Sequence, residues 1–361
     1  MVLIINMKEL NMKKILLINN GYPSVQNKQY TAYVKSIKES LELSGQEVDL
    51  LVMYADFSNQ KLSKIMAYIK YYFKLLFFTH YKNYDYVYIN NYPHSFLPLS
   101  FRLKFMKNLI IHWHGADIFA EKLHSKILNR LSYIFIPKSC KHIAPSKYFA
   151  NAVSRTLNLK EEEEVFISAS GGVDMDIFVV NKKNKKGFHI GFASHLSKEK
   201  GFDMFAQLVE NSKVLEEKFD TKLYFHYISY GIEKKFYDEK FRDNERVVIH
   251  GLYPKDNMSD FYAEIDLLLL STRLAESLGL VSLEAMSCDV PVVGTDAFAV
   301  QEYIIEGQTG ERFEMRNYEE MIKAIEKVIK DYESYIPREF IVQNYSMQSV
   351  ADGYKEYFNV K

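Results

Sequence analysis

Two glutamates, Glu276 and Glu284, stand eight positions apart in AESLGLVSLEAMSCDVPVVGTD, residues 275–296, an otherwise apolar run. A carboxylate set in an apolar helix without a partner is expensive, so each is expected to meet its own hydrogen-bond donor. Read as one helix from Ser277, the two lie roughly 12 Å apart along the axis, too far to share a metal ion or a proton. Ser277, Leu278 and Gly279 would form the first turn, where backbone N–H groups are free for an anion and glycine permits close approach. The ligand that fits is elongated, with hydroxyls at both ends and an anion between them. A nucleotide sugar has that form. Two separate local salt bridges are the plainer alternative.

Three other loops carry chemistry. In SHLSKEKG, 194–201, Lys198 and Lys200 stand just before a helix, whose N-terminus attracts anions. A solvated charged loop would look the same. HWHGAD, 112–117, ends an apolar strand, with His114 at the carboxyl end and Asp117 as an N-cap. NNGYPSVQNKQYT, 19–31, contains Gly21 and Tyr22 and lacks the G-x-G-x-x-G pattern, which disfavours a dehydrogenase. It is long and polar, suiting an acceptor site or a plain surface loop.

These loops need strands to hold them. Apolar strands are expected at 13–19, 47–53, 84–90, 108–113, 142–146 and 164–170, with a helix at 29–44. After NKKNKKG, 181–187, which reads as a linker, the rhythm restarts. Strands are expected at 188–194, 222–229, 246–251, 266–270 and 290–295, with a helix at 201–210 and a last helix at 346–358. Strands alternating with helices imply parallel sheets covered on both faces, here two Rossmann-like α/β domains. In such sheets ligands bind at the carboxyl ends of strands. The expected domains are 12–180, 187–340 and a C-terminal helix, 341–361, with residues 1–11 as an extension.

Composition narrows the class. A chain of 361 residues with 48% apolar and 25% charged content suits two globular domains. No run of about 18 apolar residues suggests a spanning helix, and MVLIINMKEL lacks the core of a secretory leader. Cys140 and Cys288 give neither metal nor disulfide spacing, and a cytoplasmic location is expected. The 46 Lys and Arg balance 46 Asp and Glu, yet residues 1–155 hold 21 basic and 9 acidic side chains. An anionic partner for the first half follows. No zinc-finger, RNP or basic-helix pattern points to nucleic acid, so an anionic membrane surface fits at least as well. KLSKIMAYIKYYFKLLFFTHYK, 61–82, reads either as an interfacial basic-aromatic helix or as one packed with its lysines in water.

Together these motifs resemble the retaining GT-B glycosyltransferases of glycosyltransferase family four. ESLGLVSLEAMSCDVPVVGTD is similar to the family's EGFGL..LEAMA.G.PVV.TD, and AVQEYIIEGQTGERF to its..PE.I.dG.tG..f, which sets Glu302 on the matching glutamate. HGAD, IAPSKYF and ISASGGVDMDIF follow its HG.D,..PS.y and IPNGVD...F patterns. The resemblance implies two Rossmann-like domains facing across a cleft, with the last helix crossing back to the first. It implies Glu276 at the donor-sugar hydroxyls, Glu284 at the ribose, and the Leu278 and Gly279 amides at the diphosphate. Lys200 would hold phosphate, His114 would lie near the reacting sugar, and Gly251, Leu252 and Tyr253 near the base. Catalytic roles thus fall to Glu276, His114 and Lys200. Ser277, His195, Lys198, Glu302 and Glu284 belong to the donor site, and Gly21, Tyr22 and Asp117 to the acceptor site.

The implied activity is metal-independent transfer of a hexose, with retention of configuration, from a nucleotide diphosphate, UDP being expected. The acceptor would be a glycan or lipid-linked molecule in cell-surface polysaccharide or glycoconjugate synthesis, handled at the inner face of a membrane. Two positions depart from the pattern. Ser194-His195 replaces Gly-Arg, exchanging a permanent forked charge for an imidazole, and Phe298-Ala299 stands where Gly-Gly is common. The first departure supports a second reading, a non-catalytic GT-B-fold partner binding a glycan or an active transferase.

Overall fold

A computed structural model describes residues 12–24, 27, 30–54, 61–160 and 165–359. The chain folds as two compact units: residues up to Gly172 with those from Met347 onward, and Val173–Ser346. The expected extension at 1–11 and parts of the 19–31 loop lie outside the described residues.

The first unit runs β1 (Lys14–Tyr22), α1 (Ala32–Leu43), β2 (Glu47–Tyr54), α2 (Lys61–Phe77), β3 (Tyr86–Asn90), α3 (Tyr92–Ser100) and β4 (Leu109–His112). It continues with α4 (Gly115–Ile118), α5 (Leu123–Tyr133), β5 (Lys141–Ala144), α6 (Lys147–Leu157) and β6 (Phe166–Ile167). All pairings are parallel, in the order β2-β1-β3-β4-β5-β6. The central strands are buried on both faces, as Ile15, Leu16, Leu17 and Ile18 show, which is why they read as unbroken apolar runs.

The second unit runs β7 (Phe188–Phe192), α7 (Phe202–Glu210), α8 (Lys213–Phe219), β8 (Leu223–Ile228), α9 (Lys234–Phe241), β9 (Val247–His250) and α10 (Met258–Ala263). Then follow β10 (Leu267–Leu270), α11 (Leu280–Ser287), β11 (Val292–Thr295), β12 (Gly310–Phe313), α12 (Tyr318–Lys330) and α13 (Pro337–Asn344). Its parallel order is β12-β11-β10-β7-β8-β9. Strand β12 was not expected from the sequence, because GERF carries two charges in four residues. Its Glu311 is nonetheless buried, satisfied by Tyr335 at 2.7 Å and Lys327 at 2.8 Å.

The last helix, α14 (Met347–Asn359), belongs to the first unit and packs on α1. Buried Tyr354 holds it there, its hydroxyl 2.8 Å from both Ser168 Oγ and Tyr88 Oη, and Phe358 sets its ring 5.1 Å from Tyr86. The return of this helix is as expected, but the boundaries are not. Residues 181–187 are no linker: Lys182 pairs with Asp289 at 3.2 Å, Lys183 with Glu264, and Lys185 with Asp266 at 3.0 Å, all within the second unit. The chain passes between units at Gly172–Val173, and the bridge Val173–Ser346 brings both crossings together. Residues 173–180 and 341–346 therefore pack with the second unit.

A feature with no sequence signal crosses β7, β8 and β9. His189 Nε2 lies 3.1 Å from the Lys186 carbonyl, His189 Nδ1 2.8 Å from His226 Nε2, His226 Nδ1 3.0 Å from His250 Nε2, and His250 Nδ1 2.9 Å from Tyr253 Oη. A carbonyl only accepts, so His189 donates from Nε2. Each neutral ring then accepts on Nδ1 from the next Nε2–H, and Tyr253 donates at the end. Burial first, then its histidine neighbours and Lys185, hold His226 down at about 3. Below pH 6.5 the unfolded chain binds a proton that folded His226 refuses, so stability is lost as pH falls toward that value. One such imidazole contributes a slope of up to about 1.4 kcal/mol per pH unit. Urea unfolding at pH 7 and pH 5 is expected to give a clearly lower midpoint at pH 5, with the difference reduced in His226→Gln. Equal pH slopes for the two proteins would refute it.

Candidate functional site

In the second unit the strand order reverses between β7 and β10. Ligands of open α/β sheets bind outside the strand carboxyl ends at such a switch point. The segments leaving β7 and β10 hold His195, Lys198 and Lys200 on one side and Glu276 to Gly279 on the other.

The two segments touch backbone to backbone. Gly201, the residue before α7, has φ +77°, and a Cβ there would stand 1.9 Å from the Ser271 carbonyl oxygen. Ser271 Oγ donates to the Gly201 carbonyl at 2.8 Å. Arg273, which carries no recognisable spacing signal, completes the clasp. Its amide donates to Glu199 O at 2.8 Å, one guanidinium nitrogen donates to Lys198 O, and another meets Asp203 at 2.8 Å.

This clasp brings Lys200 Nζ to 2.5 Å from Glu276 Oε1, which Thr272 Oγ1 also approaches at 3.3 Å. Lys200 thus has a carboxylate partner rather than standing as a free clamp. His195 lies beside them, its ring 4.5 Å from Tyr230. Partial burial, with Lys200 nearby, lowers its pKa, so it supplies no fixed positive charge at neutral pH. Lys198 points outward, exposed.

The helix carrying Glu284 starts later than expected. It begins at Leu280, with Gly279 as its cap at φ +88°, so Ser277 and Leu278 form the approach and not the first turn. The physical reason is Tyr303: a Cβ at position 279 would lie 2.3 Å from its hydroxyl, so the left-handed glycine is fitted over a buried tyrosine. Helical rise therefore applies only from Leu280 to Glu284, about 6 Å, and Glu276 reaches the helix through a non-helical approach. Burial raises the Tyr303 pKa, with Glu276 and Glu302 among the nearby charges. That places Glu302 close to the same ring, and Tyr345 senses it as well.

Glu284 differs from Glu276. The single Tyr262 hydroxyl proton is shared between Glu284 Oε2 at 3.2 Å and Val281 O at 3.1 Å. Burial pushes the Glu284 carboxyl up to about 7, opposed by Lys255 and the Tyr262 bond. Tyr230 senses the Glu284 charge too, so Tyr230 lies near both His195 and Glu284. Tyr230, Tyr262 and Tyr303 were missed from sequence because buried tyrosines at no fixed spacing look like core. Gly251 and Leu252 are exposed after β9, and Tyr253 is tied to His250.

In the first unit the order reverses between β1 and β3. Strand β1 extends through Gly21 and Tyr22, so these are strand residues and not loop. Gly21 is buried, and a Cβ there would meet Tyr30 at 2.6 Å. Tyr22 stacks edge-on to Tyr54 at 5.9 Å, and burial raises its hydroxyl to about 12.

His114, and not Asp117, is the cap of α4. Its side chain accepts from the Asp117 amide while the Asp117 carboxylate accepts from the His114 amide at 3.0 Å. His114 Nε2 lies 3.0 Å from Asn90 Oδ1, so Nε2 carries the proton and both ring nitrogens are engaged. Burial lowers His114 to about 3 and raises Asp117 to about 7. Asp117 is 2% exposed and turned into its own turn, which does not suit direct acceptor contact. Around His114 stand Tyr33 at 4.6 Å and buried Asn90, and Asn19 follows the paired Ile18–Ile89 on the strand beside Asn90; Asn90 and Asn19 each have one buried polar atom without a partner.

With this geometry in place, residues 187–331 match the family described as Glycosyl transferases group 1. The chain is 31% identical over 122 residues to N-acetyl-alpha-D-glucosaminyl L-malate synthase of Bacillus anthracis, covering 32% of this chain and 31% of that protein. It is 26% identical over 194 residues to the capsular polysaccharide biosynthesis glycosyltransferase CapM of Staphylococcus aureus, covering 49% of each. The chain thus spans about 31–59% of the length of the curated relatives it matches. Among solved structures, sucrose-phosphate synthase from Thermosynechococcus elongatus superposes with a TM-score of 0.72 at 14% identity, over 96% of this chain and 98% of that one. Anabaena HepE in complex with UDP gives 0.69 at 17% identity, over 96% and 99%. The fold is that of the GT-B glycosyltransferases, and the resemblance to glycosyl transferases group 1 is shown over the second unit.

The clasp yields a direct test. Gly201→Ala forces a methyl group against the Ser271 carbonyl at a positive φ and is expected to destabilise the second unit by about 2 kcal/mol or more. Arg273→Ala is expected to be milder, because the Gly201–Ser271 approach remains. Thermal unfolding of the three proteins checks the order, and an unshifted midpoint for Gly201→Ala would contradict it.

Proposed function

We propose that the chain is a retaining glycosyltransferase that moves a hexose-type sugar from a nucleotide diphosphate, with UDP the nucleotide, onto a glycan or lipid-linked acceptor. The observation that carries this reading is the pairing of Lys200 with Glu276 at the switch point, beside the capped start of α11. The match over residues 187–331 supports it, and so does a curated relative named for capsular polysaccharide synthesis. The complex of Anabaena HepE with UDP supports the choice of nucleotide.

In this reading the diphosphate enters at the Gly279 turn and the first amides of α11, drawing the Lys200 ammonium from Glu276. Glu276 is then free to accept from sugar hydroxyls, and Glu284 accepts from the ribose. Lys198 and His195 line the same entrance, Glu302 supports it through Tyr303, and the Gly251–Tyr253 segment meets the base. The C1–oxygen bond to the diphosphate breaks, an acceptor hydroxyl bonds to C1, and its proton leaves with the diphosphate. Positive groups and helix amides stabilise the departing charge, so no resident metal is required. His114, neutral and held through both ring nitrogens by Asn90 and Asp117, lies near the reacting sugar as a fixed, uncharged ring and moves no proton. The acceptor is taken from an anionic membrane surface.

A non-catalytic partner is the second reading, favoured by His195 in place of a fixed cation. Turnover separates the two. UDP-sugar consumption by the purified chain is expected, and Glu276→Gln is expected to reduce it by at least about 100-fold while UDP still binds. Full activity in that variant would overturn the assignment.

Glu284 adds a pH signature. Its carboxyl, raised to about 7, is half protonated near neutrality and accepts ribose hydroxyls only when ionised. UDP affinity is therefore expected to rise several-fold from pH 6 to pH 8, and Glu284→Gln to remove that part of the dependence. Calorimetric titration of both proteins reads it, and superimposable profiles would exclude the ribose role.

A further inference from the structure

Helix α2 is built inside out. Leu62, Ile65, Met66, Ile69, Phe73 and Phe77 recur at helical spacing and form one stripe, and all six are exposed, Leu62 at 76% and Phe73 at 57%. The opposite side, with Tyr71 and Leu75, is buried in the core. A surface helix ordinarily turns charged residues outward. Here lysines are displaced to the flank, where Lys70 and Lys74 border the apolar stripe.

Helix α5 repeats the inversion. Leu123, Ile127, Leu131 and the following Ile134 form its exposed stripe, Ile134 at 76%, while Asn129 and Ser132 face inward. Lys122, Lys126 and Arg130 border that stripe.

The two stripes belong to one surface. Helix α3 packs against both α2 and α5. Tyr71 Oη bonds Ser95 Oγ at 2.8 Å, and Phe96 sets its ring 6.0 Å from Phe135. Between the stripes α3 adds exposed Leu97 and, just beyond its end, Phe101. Nearby, Lys82, Arg102 and Lys104 all lie 5.1–5.6 Å from the Phe105 ring, concentrating three positive charges.

Contiguous apolar faces of this kind mark interaction sites. Charge decides the occupant. Residues 61–138 carry twelve Lys and Arg against three Asp and Glu. A second copy of the same face would oppose like charges across the contact. An anionic lipid surface offers what the face lacks: acyl chains for the stripes and headgroup charge for the lysines that border them.

We propose that the outer face of α2, α3 and α5 is a docking surface for an anionic lipid bilayer, with the two apolar stripes lying in the interface. This deepens the membrane-facing part of the proposed function. Vesicle binding and sugar transfer are measured separately, so either can fail alone.

The test is flotation of the full chain with phosphatidylglycerol-containing and with pure phosphatidylcholine vesicles. Binding is expected to the first at low salt, to weaken at about 0.5 M salt, and to be at least tenfold lower for neutral vesicles. Phe73→Glu with Ile127→Glu is expected to cut the bound fraction at least tenfold while leaving the unfolding midpoint unchanged, since both side chains are exposed. Wild-type chain that stays unbound at low salt would overturn the proposal. So would a double variant that floats equally well, or a wild-type dimer in light scattering that the double variant dissolves, which would make a second copy the occupant.

Discussion

The close approach of Gly201 to the Ser271 carbonyl governs the second unit's site. Two parallel strands at a switch point leave their carboxyl ends in opposite lateral directions, which by itself opens a crevice between the departing segments. Here the crevice is pinned at its base by a contact only a glycine with positive φ can make. Everything polar above it follows from that pin. Lys200 is one residue before Gly201, and Glu276 is five beyond Ser271, so fixing the backbones fixes the ion pair. Arg273 adds three bonds to the opposite segment and spends its guanidinium on structure rather than on a ligand. In the proposed reading, an entering anion would meet this preformed geometry and displace one partner from one lysine.

Much of this was legible in sequence, for identifiable reasons. Parallel strands buried on both faces read as uniform apolar runs, and DLLLL and KILLINN announced themselves. The loops worth inspecting followed from strand ends alone, and Lys200 and Glu276 do meet. What failed is equally physical. The lysines of 181–187 looked like solvated linker, but three of the four, Lys182, Lys183 and Lys185, find a carboxylate tens of residues away, which no local pattern encodes. The start of α11 was misplaced because Gly279 is set by Tyr303, twenty-four positions on. β12 escaped because its buried Glu311 is balanced by Lys327 and Tyr335. The histidine ladder escaped because diagonal neighbours across three strands are unrelated in sequence.

The first unit uses burial differently. The capping box at α4 takes an imidazole and a carboxylate and buries both, which holds the imidazole neutral and leaves the carboxyl about half protonated near neutrality. Such a box has less field to impose on a neighbour than a fully charged ion pair would, and its ring hydrogen-bond directions are fixed. His114 presents a ring whose tautomer is set by Asn90 on one side and the Asp117 amide on the other. With both nitrogens spent on the protein, such a residue contributes a fixed, uncharged ring face. The polar atoms of Asn19 and Asn90 that lack partners lie in the same neighbourhood.

Two carboxylates that looked equivalent in sequence are thus assigned unlike tasks by their surroundings, as the separation of environments generally dictates. Glu276 sits with a cation and a hydroxyl, so its charge is neutralised from outside and released only when something else takes the lysine. Glu284 sits against Tyr262 with burial raising its carboxyl to about 7, so its own protonation neutralises it. The first is a carboxylate whose availability depends on an arriving anion. The second is one whose availability depends on an arriving donor, since hydrogen bonds to the ionised form lower the pKa that burial has raised. A ligand carrying an anion between two hydroxyl-bearing ends meets both conditions at once. Neither end alone would, which is the requirement the proposed donor has to meet.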